Sequence, residues 1–490
     1  MASSPATSRS RGAWALALTS VAFFMGALDA LVVVTALPTI HREIGGTLSS
    51  LEWTVNAYTL ALAAGIITAA AIGDRLGRRR TYTFGLYLFT AASAACALAP
   101  SVEVLIAARA VQGIGAAIIT PLSLTILTGA FPAARRGAIV GLWGGIGGLA
   151  VAAGPLVGGA VVQGLSWHWI FWINVPIGFT AAVLSGLRLS ESHGPQARVD
   201  VPGLALITTG ALAVVWGLIH AVDAGWSDRW VLGAVGAGLV LIVGFVLWEQ
   251  RAEDPMLPLR LLRGRTFAAA CATAFLMTGS IMSAAFLASQ YFQFGQGYSP
   301  LATGLRFLPW TGTAFLVAPL AGRLSDRIGT RPLMVVGMLM NGVGVGWFAL
   351  NASAGAGYES LVVPLVLGGV GISMALPTTP TAALSAVALK DVGKASGVVN
   401  TLQRFGAVFA VAVVSAVFAA NGHLGTPAQV VSGIRPAMGA VAALSVLGAL
   451  SALAVGRRRP VLVGAAGERL DGEQLTKVGR EVDADPAAVA

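Results

Sequence analysis

Charge is scarce in this sequence. Only 11% of its 490 residues are Asp, Glu, Lys or Arg, against roughly a quarter in a soluble globular domain. A chain so poor in charge cannot cover a surface of its own in water. Cysteine is scarce too. Cys96 and Cys271 both fall inside apolar runs, which leaves no disulfide framework or zinc spacing and makes them small buried apolar residues. The five histidines are scattered, so no metal or cofactor is expected and the chain is not read as an enzyme. A Gly-x4-Gly-Lys-Ser/Thr phosphate loop is missing, which points to a gradient as the energy source. Apolar and polar residues do not alternate, and that excludes a transmembrane barrel.

What the chain has is apolar length. It is 56% hydrophobic with a mean hydropathy of +0.79, and its apolar runs approach the ~20 residues that cross a bilayer as a helix. Fourteen spans are expected, at about 13–38, 52–73, 81–99, 103–128, 137–161, 169–189, 201–222, 230–249, 266–290, 302–321, 332–351, 359–383, 397–420 and 432–455. The first exceeds a signal-peptide core and reads as an uncleaved span. The fold class is therefore an all-α polytopic membrane protein.

The connections alternate in charge. One side holds Arg9 and Arg11, Arg75 and Arg78–Arg80, Arg135 and Arg136, Arg188 and Arg198, then Arg251, Arg260, Arg263 and Arg265. It continues with Arg323, Arg327 and Arg331, Lys390 and Lys394, and the basic residues of the C-terminal segment. The other side holds Arg42, Arg229, Arg306 and Arg435. Positive charge accumulates on the cytoplasmic side. The alternation thus predicts an even number of spans in the cytoplasmic membrane, with both termini inside. Arg109 and Arg404 lie within spans.

A repeat sets the internal plan. Asp74-Arg75-Leu-Gly77-Arg78 follows the second span, and Asp326-Arg327-Ile-Gly329 follows the tenth. An offset of eight spans becomes the six of a duplicated six-helix unit if two helices are inserted. The expected organisation is a six-helix bundle over 1–190, a two-helix insert and linker over 191–265, a second six-helix bundle over 266–456, and a disordered cytoplasmic tail over 457–490.

These loops carry a resemblance. The chain resembles the major facilitator superfamily, whose loop pattern is Gly-x-Leu-x-Asp-Arg-x-Gly-Arg-Arg/Lys, and within it the fourteen-span drug:proton antiporters. The second copy keeps Gly322, Leu324, Asp326, Arg327 and Gly329; the first has Ala70 and Ile72 in place of the leading glycine and leucine. Leu105-x3-Arg109-x2-Gln112-Gly113-x-Gly115 is similar to the superfamily's fourth-helix pattern, and Gly154-Pro155-x2-Gly158-Gly159 to its antiporter motif. Trp167-His-Trp-Ile-Phe-Trp-Ile-Asn174-Val-Pro176 and Leu28-Asp29-x7-Leu37-Pro38 resemble signatures of the fourteen-span group. In these, His168 stands where arginine is usual, and Leu31 and Val34 replace polar residues. The resemblance implies a proton-coupled antiporter exporting amphipathic small molecules such as drugs or antibiotics. The alternative is a dedicated exporter of one endogenous metabolite or self-made antibiotic.

The residues also read on physical grounds. Asp74 at a helix boundary can accept charge-assisted bonds from arginine or a helix N-terminus. A gate over Asp74, Arg75, Gly77, Arg78, Asp326, Arg327 and Gly329 follows, against the blander reading of one counter-ion in a basic loop. Gly154-Pro155 interrupts one helical bond, as a hinge or as a packing seam. The Trp167–Trp172 cluster reads as an interfacial aromatic belt. Asp29 and Arg109 are the deep ionisable residues, ~13 Å and ~9 Å below the outer surface at 1.5 Å per residue. They are either a proton-coupling pair or a structural pair that never titrates. Asn56, Tyr58, Gln112, Gln290, Gln293, Asn341, Asn400 and Gln403 are candidates for lining a substrate cavity, or interhelical hydrogen bonders. The expected partners are a small-molecule substrate, protons and the lipid bilayer, with no nucleic acid; the oligomeric state is open and a monomer suffices.

Overall fold

A computed structural model describes residues 5–194, 200–252, 255, 259–387 and 392–456, with some side chains inside these ranges, Asp326 among them, outside the description. The chain divides into a helical unit, Met1–Val455, and a second unit, Gly456–Ala490. The expectation for 457–490 lies outside the described residues.

Among the described residues no strand occurs. The first helices are α1 (Pro5–Ile44), α2 (Leu48–Leu76), α3 (Arg78–Ala97), α4 (Val102–Gly129) and α5 (Ala133–Gly164). The short α6 (Trp169–Trp172) leads into α7 (Asn174–Arg188), then α8 (Val201–Ala224) and α9 (Arg229–Glu249). α10 (Arg265–Gln290) ends in a π-turn, followed by α11 (Pro300–Thr311), α12 (Thr313–Ile328) and α13 (Thr330–Asn351). Last come α14 (Glu359–Ser385), α15 (Val392–Asn421) and α16 (Pro427–Leu453).

Ten helices among the described residues are long and apolar enough to cross a membrane, or up to eleven if the bent α2 is one span. The expected segments 81–99, 137–161 and 302–321 fall on α3, α5 and α11–α12, outside that set. α3 opens on Arg78, Arg79 and Arg80 and carries several hydroxyl residues, which lowers its hydropathy. The segment 302–321 is broken at Gly312 into helices of 12 and 16 residues. Many side chains of α5 lie outside the description.

Local chemistry sets the helix ends. The Thr47 hydroxyl accepts from the Ser50 amide and the Ser50 hydroxyl from the Thr47 amide, a reciprocal cap that starts α2. Asp228 accepts from the Trp230 and Val231 amides to start α9, and Asp200 accepts from the Gly203 amide to start α8. The two Asp-Arg-x-Gly copies share one backbone device. Gly77 (φ 108°) and Gly329 (φ 85°) each end one helix and begin the next. A side chain is strained at that φ, which explains why both copies hold glycine there.

Helix pairing gives the layout. α4 packs on α2, α3 and α1, and α7 on α3 and α1. Further along the chain α10 packs on α14, α15 and α16, and α13 on α14 and α16. α5 meets α11, α2 meets α15 and α1 meets α10, joining the early helices to the late ones. α8 and α9 pair with each other, and α8 lies against both α2 and α15. The largest apolar cluster runs across these joins, from Val32–Ile40 of α1 to Ala284–Phe292, Phe307, Phe348 and Phe418.

Candidate functional site

The two deep ionisable residues meet. The Arg109 guanidinium on α4 donates to Asp29 Oδ2 on α1, and each side chain is about 1% exposed. Burying such a pair is costly unless hydrogen bonds occupy the remaining valences, and here they do. Asp29 Oδ1 accepts from Gln112 Nε2 at 3.0 Å and from Asn174 Nδ2 at 3.0 Å. Arg109 also donates to Gln112 Oε1 at 2.8 Å and to the Thr54 carbonyl of α2 at 3.2 Å. Ser93 Oγ of α3 accepts from Gln112 and Asn174 at 3.3 and 3.1 Å and donates to the Phe171 carbonyl at 3.0 Å. The guanidinium lies 4.1 Å from the Tyr58 ring centroid, a cation–π contact. The network around this carboxylate thus ties together α1, α2, α3, α4, α6 and α7.

The structure brings together Asp29, Arg109, Gln112 and Tyr58 of the expected residues, and adds Ser93, of which the sequence gives no sign. Asn174 was visible inside the Trp167–Pro176 stretch without a role attached. Asn-x-Pro opening α7 directly after a helical turn is the signal that could have marked it.

The remaining cavity candidates do not gather with these. Asn341 Nδ2 donates to Ser280 Oγ at 2.8 Å and Ser445 Oγ at 2.7 Å, in a separate cluster of α10, α13 and α16. Gln293 Nε2 donates to the Thr35 carbonyl at 2.8 Å, bracing α10 on α1 beside the Ser289 hydroxyl on the Val34 carbonyl. Asn400 bonds back to Ser396 of its own helix, and Gln403 is half-buried on α15. Asn56 and Gln290 are each about 1% exposed, and neither amide finds a hydrogen-bond partner.

The Asp74 loop is held from behind. Arg78 Nε lies 2.7 Å from Asp74 Oδ1. The Glu191 carboxylate, beyond α7, accepts from the Arg79 and Arg80 amides at 2.9 and 3.3 Å, capping the N-terminus of α3. Arg79 and Arg80 also pair with Glu191 through their side chains at 3.6 and 3.8 Å. The Gly194 amide donates to the Asp74 carbonyl at 3.1 Å. The expectation foresaw Asp74 and its arginine and missed Glu191. Arg75 and Arg327 are exposed, and Asp326 lies outside the described side chains.

The glycines of the Gly154–Gly159 stretch are sites of close approach. A Cβ on Gly154 would stand 2.7 Å from Leu31 Cβ, and one on Gly158 would stand 2.6 Å from Thr35 Oγ1. A Cβ on Gly159 would run into the Pro300 carbonyl. The stretch fits α5 against α1 and α11 at once, and Pro155 stays within a continuous helix. Of the tryptophans, Trp169 is exposed as a belt residue would be. Trp167 is instead fully buried and donates to Glu43 Oε2 at 2.9 Å.

The chain matches the Major Facilitator Superfamily over residues 19–411 and 269–488. It is 34% identical over 405 residues to the tetracenomycin C resistance and export protein of Streptomyces glaucescens, covering 82% of this chain and 75% of that one. It is 35% identical over 407 residues to the multidrug resistance protein Stp of Mycobacterium tuberculosis, covering 83% and 75%. The methylenomycin A resistance protein of Streptomyces coelicolor is 32% identical over 397 residues, covering 81% and 83%. A crystal structure of the peptide transporter POT in complex with sulfate shares the fold, with a TM-score of 0.67 at 14% identity over 90% of this chain and 94% of that one. The chain is a transporter and not an enzyme, and it belongs to the Major Facilitator Superfamily, among the relatives named for drug and antibiotic resistance.

Proposed function

We propose that this protein is a proton-coupled antiporter that exports amphipathic small molecules across the cytoplasmic membrane. The observation that carries the reading is the buried Asp29–Arg109 pair, whose hydrogen bonds join α1, α2, α4 and α7. A proton taken up by Asp29 cancels its charge, weakens its hold on Arg109 and loosens α1 from α4. Loss of the proton on the opposite side restores the pair. A change of one charge is thereby passed to every helix that the hub joins, which a transporter that alternates its access requires. The seams α1–α10, α2–α15 and α5–α11 are the surfaces along which two six-helix bundles, 1–190 and 266–456, would rock. In that arrangement the pair α8–α9 is the insert of a fourteen-span chain with both termini cytoplasmic. The Asp74 and Asp326 loops act as the cytoplasmic gate, with Glu191 steadying the first.

Relatives named for single antibiotics, tetracenomycin C and methylenomycin A, favour a second reading, a dedicated exporter of one compound. Efflux of several unrelated dyes separates the two. The proton reading is tested in proteoliposomes with an imposed pH gradient, where gradient-driven flux of a dye panel is expected. Flux that is the same with and without the gradient would refute coupling.

A further inference from the structure

A second arginine sits near the middle of a span and is not accounted for by the hub. Arg404 is on α15, on the face that carries Asn400 one turn before it and Val408, Val411 and Ser415 after it. That face is interior. Val408 packs with Leu60 and Ala63 of α2 and Ala211, Val215 and Ile219 of α8. Val411 joins the central apolar cluster, and Ser415 is fully buried. Arg404, Gln403 and Asn400 nevertheless keep part of their surface open. The interior therefore opens at their level, on the side of α15 nearer its N-terminus.

The Arg404 guanidinium lies within electrostatic reach of Tyr58, the ring that stacks on Arg109. Val408, one turn on along the same face, places Arg404 on the interior side of α15. Among the described residues no ion pair or hydrogen bond engages it. Asp29 does not neutralise it, because both carboxylate oxygens are occupied by Arg109, Gln112 and Asn174. A guanidinium in a span is costly and faces a water-filled cavity or a partner. Arg109 is paired with Asp29, which leaves Arg404 as a second positive charge in the interior without a counter-ion among the described ion pairs.

We propose that Arg404 is an anion-recognition residue, and that the transported molecules carry an acidic group (a phenolate, enolate or carboxylate) on an apolar aromatic body. The guanidinium fork binds planar oxyanions through two parallel hydrogen bonds. The half-buried Phe275 and Phe409, which stack at 6.3 Å beside the same seam, offer flat apolar surface. Permanent cations are disfavoured by the same charge. This deepens the export reading and rests on it for the word transported, while recognition itself can be measured without transport.

The test uses two dyes with one three-ring body and opposite charge, fluorescein and rhodamine 6G. Their binding to the purified full-length chain in lipid nanodiscs is followed by fluorescence anisotropy. Wild type is expected to bind fluorescein more tightly than rhodamine 6G. Arg404→Gln should weaken fluorescein roughly tenfold or more, the scale of one charge-assisted bond, without weakening rhodamine 6G. Arg404→Lys, which keeps the charge and loses the fork, should restore only part of the loss. A wild type that does not bind fluorescein, or an Arg404→Gln protein that binds it equally well, overturns the proposal. So does a variant that loses both dyes equally, since that is the mark of a structural arginine. Absence of gradient-driven flux of either dye in proteoliposomes counts against the export reading alone, because equilibrium binding still reads the charge preference.

Discussion

Two polar clusters lie in the helical unit, and they are made of different chemistry. The first centres on Asp29 of α1, Ser93 of α3 and Asn174 of α7, with Arg109 and Gln112 from α4. The second joins Ser280 of α10, Asn341 of α13 and Ser445 of α16, with the two hydroxyls 2.7 Å apart. In the six-plus-two-plus-six plan these are the first, third and sixth helices of each bundle. The first cluster is ionic and the second is neutral. A neutral cluster contributes interhelical hydrogen bonds and does not change with pH. An ionic one costs desolvation, and of the two it alone holds groups that could answer to a proton.

The largest effect should come from breaking the ionic cluster. Asp29→Asn leaves Arg109 buried without a counter-charge, and loss of one partner of a buried pair costs about 3–5 kcal/mol. Gradient-driven efflux should vanish and the thermal midpoint should fall. The double variant Asp29→Asn with Arg109→Gln should regain much of the midpoint and none of the coupling. Recovery of both would make the pair structural and erase the difference between the clusters.

Next is the neutral cluster. Asn341→Ala removes two interhelical bonds, each on the order of 1 kcal/mol in a membrane. The midpoint should drop by about 1–2 kcal/mol in equivalent stability, with the ratio of protons to substrate unchanged. A changed ratio would show that the second bundle shares in coupling.

The contrast also shows what a sequence can and cannot carry. Helical rise is fixed, so the depths of Asp29 and Arg109 along their helices followed from counting residues, and both reached one level. Azimuth and helix neighbours are tertiary properties, so that counting could not show Asn174 and Ser93 completing the hub. Ser93 sits in a run of alanines, Ala91-Ala92-Ser93-Ala94-Ala95, where one hydroxyl carries no periodic signal. Glu191 was similarly hidden, since it acts on an α3 terminus more than a hundred residues earlier in the chain. The repeat was legible because both copies need glycine at positive φ, a local demand written directly in residue type. The break at Gly312 was not, because an apolar run reads the same whether the helix is continuous or split.

The smallest test compares one hydroxyl in each cluster. Ser93 accepts from two amides and donates to the Phe171 carbonyl, so Ser93→Ala deprives Gln112 and Asn174 of a shared acceptor. Both amides still hold Asp29, so the carboxylate should keep its place. Ser280→Ala removes one acceptor from Asn341, which still reaches Ser445. Each variant should cost about 1 kcal/mol or less, the ordinary worth of one interhelical bond in lipid, and equal midpoints are expected. Their pH profiles should differ. Efflux by the Ser93→Ala protein should change its pH profile, because the two amides it releases are those that bond the Asp29 carboxylate. The Ser280→Ala profile should overlie that of wild type, because nothing in its cluster titrates. Two profiles that shift together would mean that the clusters are coupled through the α1–α10 seam and that the ionic half does not act alone.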